Sequence, residues 1–200
     1  MLNILCNYIY LDVHERRKLL ATKTIEYLIE QFQEPAICSV DAQAAQQSIN
    51  VPFFLNHSVK ELIWCYQSLT AKNNNDTGNY ANILNYNTVN EALVEPFTMI
   101  ELKYNGNDRF PQLPAKYFRT VQIYEHHTSS TLDNYIYVFS FAIFPEKNQP
   151  SGTCNFSKID DVRMNITLTT NILAGNIHIL AINYNILKFQ SGMAGILFNS

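Results

Sequence analysis

An all-β, antiparallel sandwich of two sheets, with about eight strands and two short helices, is the fold class this sequence predicts. Three observations carry the prediction. Strand-like stretches are separated by Pro, Gly and Asn turn signals, with no alternation of strands and long helices that would build a parallel sheet. The 12 Tyr and 12 Phe favour strands over a helical bundle, because broad rings pack well on a pleated surface. A length of 200 residues suits one domain with enough chain for a sizeable core, so residues 1–200 are read as a single domain.

Taken in order, Leu2 to Leu11 is apolar with Asn3 and Asn7 interrupting, and reads as a strand. Asp12 ends it, and Asp12-Val13-His14-Glu15 has the spacing of an N-cap with a reciprocal carboxylate, which predicts a short helix from Val13 to Ala21. Its Arg16, Arg17 and Lys18 read as a solvated face or as a grip on a neighbouring acidic surface. Thr24 to Gln33 suits helix and exposed strand alike by periodicity. Ser48 to Leu55 is β-like, and Pro52 keeps it away from a fully paired central position. After an Asn56-His57-Ser58 turn, Val59 to Ser68 alternates Leu62, Trp64 and Tyr66 with Val59, Ile63 and Cys65, so both faces are apolar.

Residues 71–90 are dense in Asn and broken by Asp76-Thr77-Gly78, and read as an exposed insertion loop. Thr98 to Tyr104 is a half-exposed strand with Ile100, Leu102 and Tyr104 on one face. Asn105-Gly106 turns the chain, and Pro114 at a first helical position opens a second short helix carrying Tyr117, Phe118, Val121 and Tyr124. Tyr135 to Phe144 is the most apolar strand and is ended by Pro145. Val162, Met164, Ile166 and Leu168 line one face of another strand, and Ala174-Gly175-Asn176 reads as a turn. Ile177 to Phe189 is again apolar on both faces, with Gly192 and Gly195 bending the chain before Ile196 to Phe198.

A lone sandwich keeps one wet face on each strand. Three strands here do not, so their outer faces, the Tyr135 to Phe144 run above all, call for cover from loops or from other subunits. The formal net charge of -3, with 16% charged residues, gives no basic field for nucleic acid. No segment approaches the roughly 20 apolar residues of a membrane span, and no charged leader followed by an apolar stretch opens the chain. Synthesis in a reducing compartment without disulfides is the expectation.

Chemistry-bearing residues form no spaced constellation. Cys6, Cys38, Cys65 and Cys154 are scattered and read as small buried apolar residues. His126-His127 invites a metal, as in jelly-roll enzymes of the cupin type. Adjacent strand residues face opposite ways, however, and His14, His57 and His178 complete no ligand pattern. Arg109, beside Asp108, reads as a structural clamp for carboxylates or carbonyls. No catalytic, cofactor-binding or metal-binding residue is therefore assigned, and no cofactor is expected. The sequons at Asn56, Asn75, Asn155 and Asn165 call for no secretory glycosylation without a leader.

Two stretches carry a resemblance: Gln149-Pro150-Ser151-Gly152-Thr153-Cys154-Asn155-Phe156-Ser157-Lys158-Ile159-Asp160, and Asn183-Tyr184-Asn185-Ile186-Leu187-Lys188-Phe189-Gln190-Ser191-Gly192-Met193. They closely resemble the PSGTCNFSRID and NYNVLR-x-x-SGM segments in the C-terminal jelly roll of the major capsid proteins of large nucleocytoplasmic DNA viruses. Tyr8 to Gln31, Asn56 to Trp64 (with Ser58 for the usual Pro) and Asn105 to Phe110 resemble further segments of that family, so the likeness spans Tyr8 to Gly195. It implies a strand at Thr24 to Gln33, a jelly-roll strand order, and a structural, non-enzymatic subunit of an icosahedral virion shell, synthesised in the host cytoplasm. In the family two jelly rolls stand side by side and three copies form a pseudo-hexagonal capsomer. The resemblance covers the second roll, and a chain with that roll alone is expected to partner other capsid chains, as a homotrimer or with a chain supplying the first roll. A glycan-binding, lectin-like jelly roll, with Tyr80 to Tyr86 as loop aromatics, is the alternative.

Overall fold

The computed structural model describes residues 3, 5–22, 24–70, 86, 94–129, 134–190 and 193–198. The expected insertion loop at 71–90 lies outside them apart from Tyr86. Among the described residues the main helices and strands follow in the order α1 (Val13–Ala21), β1 (Thr24–Val40), β2 (Ser48–Phe53), β3 (Ser58–Ser68), β4 (Phe97–Tyr104), β5 (Asn107–Pro114), α2 (Ala115–His126), β6 (Tyr137–Ser140), β7 (Cys154–Asn155), β8 (Val162–Leu168), β9 (Gly175–Gln190) and β10 (Met193–Ile196), with a 3-10 turn at Phe156–Lys158. One sheet has the order β1-β9-β3-β6, with β7 added to β3 and β10 to β9; the other is β2-β8-β4-β5. Leaving aside the short added strands β7 and β10, successive strands pass from one sheet to the other except at the β4–β5 hairpin, which is the winding of an eight-stranded jelly roll. The chain divides into two compact units, residues 30–184 and residues 1–29 with 185–200.

In the 30–184 unit, period-2 alternation decides the core. Val162, Met164, Ile166 and Leu168 of β8 and Ile100 and Leu102 of β4 are buried, while Glu101 and Asn165 face out and bond to each other at 2.6 Å. β3 buries Leu62, Trp64 and Tyr66 as its sequence predicts. A register shift between Val59 and Glu61 turns Val59 to the core as well, where simple alternation had put it on the other face. Trp64 stacks on Tyr137 at 6.2 Å and meets Phe118 of α2 edge-on at 5.3 Å, so the helix contributes to the same core. Gly175 is the first residue of β9 rather than the middle of a turn. A Cβ there would overlap the Tyr66 ring and the Gln67 carbonyl. The turn before β9 instead uses Asn171 at φ 56°.

Three further expectations are corrected. Tyr135 to Phe144 is not one long strand: β6 holds only Tyr137–Ser140, because the Ser140 hydroxyl donates to the Ala142 carbonyl and accepts from its amide, bending the chain out of the ladder. Tyr137 and Val138 are both buried, and α2 packs on β6, so this strand is covered within its own chain. The second helix carries the expected residues but does not bury them all. Ala115, Phe118, Gln122 and Ile123 are buried, whereas Tyr124 is 89% exposed; Pro114 is the N-cap rather than the first helical residue.

The sheet edges are blunted one by one. Pro35 lies in edge strand β1, Pro52 in edge strand β2, and Pro111 and Pro114 in edge strand β5, each removing a backbone donor from an edge. The fourth edge, β6, is four residues long and packs against α2.

In the other unit, Asp12 caps α1 by accepting from the Val13 amide at 2.6 Å. β9 and β10 pair from Met193↔Gln190 to Ile196↔Leu187. Residues 5–11, expected to be a strand, have neither helix nor strand structure, because an apolar stretch becomes a strand only where a neighbouring strand takes up its backbone groups.

Candidate assembly surface

The two units differ in where their apolar side chains go. Every buried hydrophobic side chain among the described residues lies between Val40 and Tyr184. In the unit of residues 1–29 and 185–200, Leu5, Tyr8, Ile9 and Tyr10 are 99, 78, 86 and 91% exposed, and Tyr27, Leu28, Met193, Leu197 and Phe198 are exposed too. A run of large apolar groups in water is unfavourable by roughly 25 cal/mol for each Å² left uncovered, and patches of this kind mark interaction sites. Their composition, aliphatic and tyrosine side chains with few charges, matches the centre of a protein–protein contact.

On the 30–184 unit the outer face of β2-β8-β4-β5 is of the opposite character. Ser48 and Thr167 hydroxyls meet at 3.1 Å, Gln46 donates to Thr98 at 3.1 Å, and Ser48, Asn50, Glu101, Gln112, Asn165 and Thr167 line a shallow polar hollow. That is a wet face whose polar groups satisfy one another. The β1-β9-β3-β6 sheet instead carries carboxylate contacts: the Lys60–Glu30 ion pair at 2.7 Å, His178 Nδ1 within hydrogen-bond distance of Glu34 at 3.1 Å and His127 to Glu61 at 3.2 Å.

The candidate residues of the sequence fall into place individually. Arg109 is not a carboxylate clamp: it lies in β5, with its guanidinium 5.8 Å from the centre of the Phe139 ring, a cation held by an aromatic face. The clamp role belongs to Arg119, which grips both oxygens of Glu95 at 3.0 and 3.1 Å. His126 is the last residue of α2 and His127 its C-cap, so they are not the strand neighbours expected from the sequence, yet the two rings take different partners. His126 Nδ1 meets the Ile143 carbonyl at 3.0 Å, while His127 stands between Glu61 and Glu146, at 3.2 and 3.3 Å. The two carboxylates come from positions far apart in sequence, which is why the pairing was not legible there. Glu61, then the Glu146 charge, hold the His127 pKa above the ordinary imidazole value against the opposing effect of burial. The Thr128 contacts, aided by His127, lower that of Glu146.

Cys65 is half-buried, and burial with the Glu34 charge pushes its thiol up to about 12, a packing residue rather than a nucleophile. Cys38 and Cys154 are likewise half-buried and raised by burial. Cys6 is exposed, against the expectation that all four are buried. Gly152, in the PSGTCNF stretch, sits at φ 145°, where a Cβ would lie 2.7 Å from the Phe141 carbonyl. That turn delivers Phe156 into the core, 1% exposed, and Asn155 accepts from the Ser157 amide at 3.1 Å. The stretch is therefore a packing device. No helix among the described residues is long and apolar enough to cross a membrane.

Comparison with known proteins places this surface in context. The chain is 34% identical to the major capsid protein of Pyramimonas orientalis virus, over 97% of this chain and 48% of that protein. It is 31% identical to the major capsid protein of Paramecium bursaria Chlorella virus 1, over 98% of this chain and 54% of that protein. The crystal structure of PBCV-1 VP54 superimposes with a TM-score of 0.80 at 29% identity, covering 96% of this chain and 56% of that one. The chain thus spans about half the length of the curated relatives it matches. Residues 15–195 match the profile of the large eukaryotic DNA virus major capsid protein, and the chain belongs to that family.

Proposed function

We propose that this chain is a structural subunit of the icosahedral shell of a large DNA virus, acting through contacts with other capsid chains rather than through catalysis. The supporting observation is the concentration of uncovered apolar side chains in residues 1–29 and 185–200, in contrast to the 30–184 unit, which buries its own core. A free soluble domain has no use for Leu5, Tyr8, Ile9 and Tyr10 in water; a tile in a shell does. The partners are further capsid jelly rolls, in the form of a trimeric capsomer of this chain or of other capsid chains. Its place is the virion shell after synthesis in the host cytoplasm. Electron microscopy of the purified chain, alone and mixed with the other capsid chains of its virus, tests this. Closed capsomer-sized rings in either preparation are expected. Isolated single particles of one domain in both preparations would contradict the reading.

A further inference from the structure

The segment from Phe141 to Gln149 leaves the sheet after β6 and exposes Ile143 and Phe144, 61 and 49%. It is tied down by a small set of polar contacts. The Phe141 and Ala142 amides donate to the Lys60 carbonyl, at 2.8 and 3.2 Å, Lys60 Nζ donates to the Pro145 carbonyl at 2.8 Å, and the Thr128 amide donates to both oxygens of Glu146 at 3.1 Å. At the centre stands His127, with Nε2 3.2 Å from Glu61 and Nδ1 3.3 Å from Glu146.

Only the imidazolium carries a proton on both ring nitrogens. The neutral ring must turn a lone pair toward one of the two carboxylates. Glu61 Oε2 is buried and off the line of a well-formed hydrogen bond, so its attraction to His127 is one of charge, and losing that charge leaves a buried carboxylate without its counter-ion. The other charged and titratable groups nearby are engaged elsewhere: Lys60 by Glu30 at 2.7 Å, His126 by the Ile143 carbonyl, and Lys147 over the Phe144 ring at 4.3 Å.

We propose that His127 is a pH-sensitive latch that holds the 141–149 segment, and with it the apolar tip at Ile143 and Phe144, against α2 and β3. The direction follows from the raised His127 pKa. The stabilisation is fully present below the ordinary imidazole range, near about pH 6.5, and is lost as pH rises through the higher folded-state value. The latch is therefore closed in mild acid and loosens in mild alkali.

Amide hydrogen exchange on the intact chain, corrected for intrinsic rates, reads this out together with an NMR titration of the His127 ring. Protection of the Thr128 and Lys147 amides should fall about tenfold between pH 6 and pH 8.5, in step with the ring titration. His127→Gln should remove the step, and Glu146→Gln, a change at a half-exposed side chain, should lower the His127 midpoint. Equal protection at both pH values in the unaltered chain, or the same step persisting in His127→Gln, would overturn the latch. If His127→Gln does not fold, an unmoved midpoint in Glu146→Gln overturns it instead.

Discussion

Residues 30–184 and residues 1–29 with 185–200 are both rich in Leu, Ile, Tyr and Phe, yet they use them in opposite ways. In the first, alternating strand residues from both sheets close on Trp64, Tyr137, Phe97 and Phe118, and each sheet edge is stopped by proline or covered by α2. In the second, no hydrophobic side chain is buried among the described residues, and Leu5, Tyr8, Ile9 and Tyr10 stand in water. The lesson is that apolar content alone does not mark a core. What matters is whether a facing surface covers them, and uncovered apolar residues are those that the proposed function assigns to contacts. With the edges blunted by proline, strand addition at an edge is disfavoured.

The sharpest way to break the comparison is to damage the first region. Trp64 is 1% exposed between the Tyr137 and Phe118 rings, so Trp64→Ala should cost about 3–5 kcal/mol and shift the urea midpoint by most of its range or abolish folding. A loss under about 1 kcal/mol would mean that the core lies elsewhere.

A smaller effect is expected at Gly175. Its Cβ position is 2.6 Å from the Gln67 carbonyl and overlaps the Tyr66 ring, whose hydroxyl donates to the Leu173 carbonyl. Gly175→Ala should cost about 1–3 kcal/mol by overpacking, again read as a shift in the urea midpoint. An unchanged midpoint would show that β9 and β3 separate freely at this end.

How much of this was legible in the sequence follows the same division. Where a strand has its partner inside the chain, period-2 patterning marked the buried face: β4 and β8 buried the residues it indicated, β3 did so at Leu62, Trp64 and Tyr66 while the register shift added Val59, and Asp12 capped α1. Patterning failed where the outcome depended on what lies opposite. Leu2 to Leu11 has the composition of a strand, but residues 5–11 are not in one. Tyr135 to Phe144 read as the most apolar strand, yet a single side chain, Ser140, captured the backbone and bent it away. This also removes Tyr137 and Phe139 as an assembly patch, since Tyr137 is buried and Phe139 packs against Phe110 at 4.8 Å. The His127 cluster was invisible for a different reason: no local motif joins position 61 to 127 and 146, and only the fold brings them together.

The most direct test of the account is sedimentation of the unaltered chain at tens of micromolar, side by side with a Tyr8→Asp, Tyr10→Asp double variant. These side chains are 78 and 91% exposed, so their replacement should change folding stability by less than about 0.5 kcal/mol. The account predicts that the unaltered chain sediments as an oligomer and that the variant moves toward monomer with an unchanged urea midpoint. An unaltered chain that sediments as a stable monomer and captures no second capsid chain, or a variant that loses stability together with assembly, would contradict it.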